Sequence, residues 1–170
     1  ETVAGVPYGY SYSNMGDIMS ITRNDDAYKS YTYDALGEMR SETQHTLNRR
    51  TNYVYDAFGN ISSKTTVNTT TNANVSKVTY NYSKDSDAGW NYLLTSLTFT
   101  DYTNSNNNRT ETIDYDKIGN PLSYRGATMS WFGRQLRNYS KNGISANFMY
   151  DADGLRSAKG KKKKKTTYQY

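Results

Sequence analysis

One stretch, YVYDAFGNISSK at 53–64, has the pattern of a complete β-hairpin. Tyr53 and Tyr55 alternate in the way that residues on one face of a strand do. Asp56 suits the first turn position because its carboxylate can accept backbone N–H bonds, and Gly59 suits the fourth, where the chain often needs a positive φ. A type I turn followed by a left-handed glycine is a common hairpin connection. The sequence therefore predicts a turn at 56–59 and a returning strand over 60–67.

The same unit recurs along the chain, and this recurrence constrains the fold more than any single copy does. Related copies lie at 10–18, 31–39, 113–120 and 148–155, with Ser13 in place of the aspartate in the first, and 168–170 looks like a further copy that stops before its turn. Tyr12, Tyr33 and Tyr55 are 21 and 22 residues apart, the length of one hairpin and a connection. Such regular self-similarity is typical of repeat architectures. The motif residues are Tyr31, Tyr33, Asp34, Gly37, Tyr53, Tyr55, Asp56, Gly59, Asn60, Tyr115, Asp116, Gly119, Asn120, Tyr150, Asp151 and Gly154, joined by Trp131, Gly133 and Arg134 of a tighter hairpin.

The composition favours folded β-structure with tyrosine in its interior. Leu, Ile, Val and Phe supply only 24 of the 170 residues, which alone is typical of disorder. Against disorder, the chain has 18 tyrosines, many at regular strand positions, and Tyr and Thr both favour strands. A buried tyrosine hydroxyl needs a partner, and we expect Thr, Ser and Asn side chains to supply it. Because a lone hairpin is only marginally stable, each hairpin needs neighbours, and we predict an all-β array of antiparallel hairpins.

We interpret 1–170 as a single segment of a longer array. The expected repeats lie near 8–26, 27–48, 49–74, 75–103, 109–126, 127–141 and 144–160, with a truncated one at 166–170. In the fourth repeat, 84–89 reads as a longer turn, and 104–108 reads as a polar loop. Because Glu1 is not an initiator Met and the last copy is incomplete, we expect a fragment or a processed piece. No amphipathic helix and no stretch of 18 apolar residues is apparent in the sequence, so we expect no membrane span.

The positive charge of the chain suggests one basic tip. The net charge is +5, and the lysine run at 161–165 contains five positive charges, so the remainder is neutral. Such a run could bind nucleic acid or anionic surfaces without reading sequence. The simpler interpretation of 159–165 is a solvated turn between strands, and we expect no specific nucleic-acid partner.

The sequence offers no constellation for catalysis. Asp34, Asp56, Asp116 and Asp151 occupy the same place in a repeated turn, whereas an active site needs one constellation. His45 is the only histidine and cysteine is absent, so a zinc site would lack its usual ligands. We therefore expect no enzyme activity, no metal and no cofactor.

These motifs resemble the Rhs/YD-repeat family, which includes bacterial polymorphic toxins, wall-associated proteins, insecticidal toxin-complex C components and teneurins. The resemblance rests on YxYDAxGN at 53–60, its relatives at 31–38, 113–120 and 148–155, and WFGRQL at 131–136, and it extends over nearly the whole chain. It implies that the hairpins are joined edge to edge into one long curved or spiralling sheet that forms part of a hollow shell. In bacterial members the shell holds a toxic C-terminal domain. The self-cleaving core motif and the toxin domain of that family are absent from this sequence, so neither activity can be transferred.

The resemblance implies a structural, non-catalytic shell segment that encloses a C-terminal toxin or effector in a secreted or delivered bacterial polymorphic toxin. Its partners would be the rest of its own shell and the enclosed effector, and open sheet edges would favour self-association. The alternative is an extracellular cell-surface adhesion or carbohydrate-binding module. In that case Trp90 and Trp131 would be the glycan contacts. Both interpretations imply a secreted or cell-surface location.

Overall fold

The computed structural model describes residues 2–83, 93–161 and 164–167, and these fold into antiparallel β-hairpins. The prediction of an all-β hairpin array is confirmed. Two short 3-10 turns, His45–Leu47 and Ser105–Asn107, lie between strands. The strands of the described residues are β1 (Thr2–Val3), β2 (Val6–Tyr12), β3 (Ile18–Arg23), β4 (Asp26–Tyr33), β5 (Met39–Gln44), β6 (Arg49–Tyr55), β7 (Ile61–Asn68), β8 (Asn74–Tyr82), β9 (Leu94–Asp101), β10 (Arg109–Thr112), β11 (Ser123–Tyr124), β12 (Ala127–Phe132), β13 (Gln135–Lys141), β14 (Ile144–Tyr150), β15 (Arg156–Lys161) and β16 (Lys164–Thr167).

Strands β1 to β10 form one sheet in which spatial order follows chain order. The pairings from β1 to β8 are all antiparallel. The register shifts by one residue just before Tyr12, Tyr33 and Tyr55, each of which ends the first strand of a hairpin. Each shift adjoins a turn that contains a left-handed glycine, which is the geometry of a β-bulge. The repeated motif therefore sets the register of each hairpin as well as its turn.

Strands β11 to β16 form a second sheet, again in chain order and with antiparallel pairing throughout. Between β10 and β11, the fourth motif copy makes only an isolated bridge, Tyr115 to Pro121. Pro121 has no N–H and cannot extend a ladder of hydrogen bonds. The strand ladders of the described residues are divided between two sheets, whereas the resemblance implied one long sheet.

The chain forms two compact units, 1–80 with 98–109 and 81–97 with 110–170. Few of the side chains that the structure describes are fully buried in either unit. The larger apolar residues that are buried are Val67 in the first unit and Leu97, Ile113 and Phe148 in the second. The middle of each turn is exposed, as at Phe58.

Two expected connections differ from the prediction or fall outside the described residues. The longer turn at 84–89 is among the residues that are not described. The lysine-rich turn was expected over 159–165, but β15 continues to Lys161 and β16 begins at Lys164, and these two residues pair. Most of the expected turn therefore belongs to strands, because a lysine backbone can take part in a ladder like that of other residues. The end of the truncated repeat, 168–170, lies outside the described residues.

No helix in the described part of the chain is both long enough and apolar enough to cross a bilayer.

Candidate functional site

The most repeated local structure is a five-residue turn. In each copy, the first residue donates its N–H to the carbonyl of the fifth, and the glycine at the fourth position donates its N–H to the carbonyl of the first. In the turn at 56–60 these N···O distances are 2.8 and 3.2 Å, and Gly59 has φ +79°. The copies within the described residues are 13–17, 34–38, 56–60, 116–120 and 151–155. We call this structure the motif turn.

The side chain of the first residue accepts hydrogen bonds from the main chain of the same motif turn. Asp56 Oδ1 accepts the N–H groups of Phe58 at 2.9 Å and Asn60 at 3.0 Å. The aspartates at 34, 116 and 151 accept the equivalent pairs of N–H groups at 2.8–3.0 Å. Ser13 makes both bonds with its hydroxyl, at 3.2 and 3.1 Å. A single oxygen acceptor at this position is therefore sufficient to build the turn.

At Asp56 and Asp116 these donors stabilise the ionised form of the carboxyl. Burial raises the pKa of Asp56, but the N–H groups of Asn60 and Phe58 and the side-chain amide of Asn60 outweigh it and lower that pKa. The pKa of Asp116 is lowered in the same way against burial, by Asn120 and Ile118, with a further contribution from the charge of Arg134. A carboxylate held ionised is a poor proton donor near neutral pH. The motif aspartates act as fixed acceptors of hydrogen bonds.

A second contact joins each hairpin to the one before it. Tyr33 donates its hydroxyl to the carbonyl of Ile18 at 3.0 Å, and Tyr55 donates to the carbonyl of Met39 at 2.9 Å. Ile18 and Met39 are each the first residue after a motif turn. We call this hydrogen bond, from a motif aromatic residue to the carbonyl that follows the preceding turn, the aromatic link.

The second unit repeats the aromatic link at Tyr115. Its hydroxyl donates to the carbonyl of Leu94 at 2.9 Å. Leu94 again follows the end of a turn, since the Ser83 N–H donates to the Leu93 carbonyl at 2.8 Å and the Leu93 N–H donates to Ser83 Oγ at 3.1 Å. The ends of this longer connection are thus closed in the same way as a motif turn.

Trp131 makes the same link with an indole in place of a phenol. Its Nε1–H donates to the carbonyl of Pro121 at 2.8 Å, and Pro121 follows the motif turn at 116–120. The one polar group of this ring is therefore used within the fold, whereas the sequence had placed Trp131 among the glycan contacts. Trp90, the other residue of that prediction, lies outside the described residues.

Asn120 connects two consecutive turns of the second unit. It is 3% exposed, and its Nδ2 donates to Asp116 Oδ2 and to the carbonyl of Gly133, both at 2.7 Å. Asn60 makes only the first type of bond, to Asp56 at 3.1 Å. Gly133 has φ +56° at the tip of the hairpin formed by β12 and β13. The WFGR motif is thereby tied to the preceding motif turn at both Trp131 and Gly133.

The tyrosine partners differ from those that the sequence suggested. We expected Thr, Ser and Asn side chains, but the hydroxyls of Tyr33, Tyr55 and Tyr115 all bind main-chain carbonyls. Burial raises the pKa of Tyr55 and of Tyr115, which keeps both hydroxyls protonated as donors. No sequence signal marked these acceptors, because every residue carries a carbonyl.

The repeated contacts stabilise the fold. Each aspartate and each link is engaged with main chain of its own or the preceding repeat. Among the described residues, no group of three or more His, Cys, Asp and Glu side chains is placed to hold a metal ion. The class of protein that this fold and site define is an array of antiparallel hairpins, serially joined through motif turns and aromatic links.

Comparison with known proteins gives this class a structural counterpart. No family model and no curated protein matches the chain. Among solved structures, TcdB2-TccC3 superposes with a TM-score of 0.64 at 17% identity over 96% of this chain. The complexes TcdB2-TccC3-TEV and TcdB2-TccC3-Cdc42 each superpose with a TM-score of 0.63, at 16% and 17% identity. This chain spans about 11% of the length of these neighbours. The resemblance drawn from the repeats, which included toxin-complex C components, is thus confirmed at the level of the fold.

Proposed function

We propose that this chain is a non-catalytic wall segment of a β-shell, and that the shell encloses a C-terminal toxin or effector of a secreted or delivered bacterial polymorphic toxin. The observation that carries the proposal is the aromatic link. It joins a hairpin to the one before it at the same position in both units. A bond that recurs between successive hairpins allows hairpins to be added in chain order, which is what an extended wall requires.

The solved neighbours support a wall rather than a self-contained module. This chain matches along 96% of its length, yet it corresponds to about 11% of a much longer chain. One neighbour is described as TcdB2-TccC3 without its hypervariable C-terminal region, so that protein has such a region. By analogy, the parent protein of this chain would carry a variable cargo after its shell.

The proposal of a non-catalytic role rests on how the carboxylates are used. Asp34, Asp56, Asp116 and Asp151 each have one oxygen bound by two main-chain N–H groups of their own turn. Groups used in this way are parts of the scaffold. The chemistry of the complete protein would then reside in its cargo.

Limited proteolysis of the full-length gene product that contains this segment tests the enclosure. We expect the cargo region to resist protease in the native protein and to be digested rapidly when it is expressed without the shell. A D34A/D56A variant, which weakens two motif turns, should make the cargo more accessible, and D153N is the matched control. Equal digestion rates for free and shell-attached cargo would contradict enclosure.

We also propose that the open sheet edges pair with the rest of the shell or with a second copy of this chain. Strands β1, β10, β11 and β16 stand at the ends of the two strand orders, and unpaired edges promote association. Light scattering of this chain should show an apparent mass that rises with concentration. A monomeric mass at every concentration would remove this part of the proposal.

A further inference from the structure

The positive charge of the chain extends well beyond the lysine run. Residues 127–170 contain ten Lys and Arg residues and two Asp, whereas residues 1–126 contain eleven Lys and Arg and fourteen Asp and Glu. The sequence-based interpretation of one basic tip on a neutral chain is therefore too narrow. The strands β11 to β16 contain no Asp or Glu at all, since Asp151 and Asp153 lie in the turn between β14 and β15. All charged residues in the strands of the second sheet are thus cations, and they belong to β13, β15 and β16.

Cations and aromatic rings alternate on this sheet. The Arg137 guanidinium lies over Phe132 at 5.3 Å from the ring centre and over Tyr150 at 5.7 Å. Arg156 lies over the same Tyr150 at 5.9 Å and over Phe148 at 4.6 Å. Lys159 Nζ lies 5.9 Å from the centre of Phe148. These contacts form a continuous series, which we call the cation–ring row: Phe132, Arg137, Tyr150, Arg156, Phe148 and Lys159.

The row presents its charges in a fixed arrangement. Phe148 is 9% exposed beneath Arg156 and Lys159, whereas Phe132 at one end is 70% exposed. A cation packed on a ring keeps its charge at the surface while its stem is held in place. Side chains that are already ordered lose less entropy when they bind a ligand. The strand pairing of Tyr150 with Arg156 and of Phe148 with Lys159 holds the central step and the last step of the row in register.

We propose that the second sheet binds single-stranded nucleic acid without sequence preference. The cations of the row would contact phosphates, and Phe132 and the guanidinium planes would stack on bases. Proteins that bind single strands without reading sequence combine basic surfaces with aromatic rings in this manner. An acidic peptide or an anionic membrane would satisfy the charges but would make no use of the stacking surfaces. This proposal is independent of the enclosure of a cargo.

Fluorescence anisotropy of the whole chain with a labelled oligothymidylate of about 20 nucleotides tests the proposal, since that length exceeds a single-strand site of about 4–16 nucleotides. The dissociation constant is measured over a range of NaCl concentrations. We expect affinity to fall steeply with salt, and R156Q/K159Q should reduce the logarithmic slope by about 0.7 for each phosphate that is no longer neutralised. The control K64Q/K77Q removes the same charge from the first unit and should leave the slope unchanged. Circular dichroism confirms that each variant is folded.

A separate variant tests whether bases stack on Phe132. Phe132→Leu keeps an apolar side chain at this exposed position but removes the ring. We expect this variant to raise the dissociation constant about 5-fold or more, because the loss of one base–ring stack weakens binding by at least about that factor. This variant keeps the proposal testable if the double variant does not fold.

Three results would overturn the proposal. Polyglutamate of matched length that competes as well as the oligonucleotide would indicate an acidic protein partner. Binding of anionic phosphatidylserine vesicles without binding of oligothymidylate would indicate a membrane surface. An equal effect of K64Q/K77Q and R156Q/K159Q would indicate diffuse attraction with no site on the second sheet.

Discussion

Asp56 stabilises its turn most strongly as a carboxylate, so the turn should be sensitive to acid. Burial raises the pKa of this carboxyl, but its donors from Asn60 and Phe58 bring the pKa below the ordinary value of 3.8. Because the unfolded chain keeps the ordinary value, the stabilisation is fully present above it and is lost as the pH falls through the folded pKa. We expect the urea midpoint to fall between about pH 5 and about pH 3.

The variant D56N separates this effect from general acid sensitivity. It keeps an oxygen acceptor but cannot ionise, so it should start with a lower urea midpoint near pH 5 and should lose less on acidification. D153N is the matched control, since within the described residues the side chain of Asp153 makes no hydrogen bond. An identical pH dependence for D56N and the natural protein would show that Asp56 contributes nothing to acid sensitivity.

The substitution Tyr55→Phe tests the aromatic link by removing a single hydroxyl group. Tyr55→Phe removes the hydroxyl that binds the Met39 carbonyl at 2.9 Å and leaves the ring in place. We expect the free energy of unfolding to fall by about 1 kcal/mol, the usual value of one intramolecular hydrogen bond. Urea denaturation measures the loss. Tyr102→Phe, at a half-exposed tyrosine of the same unit, should change stability by less than about 0.5 kcal/mol.

The hairpin of β6 and β7 depends on a backbone conformation that glycine adopts easily. Gly59 has φ +79°, and a Cβ at this position would lie 3.3 Å from Glu38 Oε1. Gly59→Ala should cost about 1–2 kcal/mol, chiefly because other L-residues are disfavoured at positive φ. Gly160 in β15 is the matched control, as its φ is not positive and nothing lies within 4 Å of an added Cβ. Equal stabilities of G59A and G160A would refute the conformational argument.

The hairpins and motif turns could be predicted from sequence because their determinants are local. An Asp or Ser three residues before a Gly, after alternating tyrosines, specifies the turn and the residues on either side of it. The aromatic links could not be predicted, since the acceptor is the main-chain carbonyl of residues as different as Ile18, Met39 and Pro121. Pro121 marks the loss of one N–H at the boundary, but the cross-strand bond from Leu122 to Asp114 shows that this residue alone did not predict the division into two sheets. The cation–ring row depends on strand register, which composition does not contain.

At the scale of the molecule, serial pairing implies that a local defect should have local consequences. In the first sheet each strand pairs only with its neighbours in sequence, and the aromatic links reach back by one hairpin. Stability in such an array is approximately a sum of repeat and nearest-neighbour contributions. Damage to one motif turn should therefore loosen the adjoining strands and leave distant ones protected.

Hydrogen–deuterium exchange of Asp56→Ala tests this expectation peptide by peptide. We expect faster amide exchange in β5, β6 and β7, which include the damaged hairpin and the strand that receives the link from Tyr55. Exchange in β12 to β14 should be unchanged, because those strands belong to the second sheet and local opening in repeat proteins is confined to neighbouring elements. D153N serves as the control for the loss of one carboxylate. A uniform acceleration along the whole chain would instead show that the hairpins open as one cooperative unit.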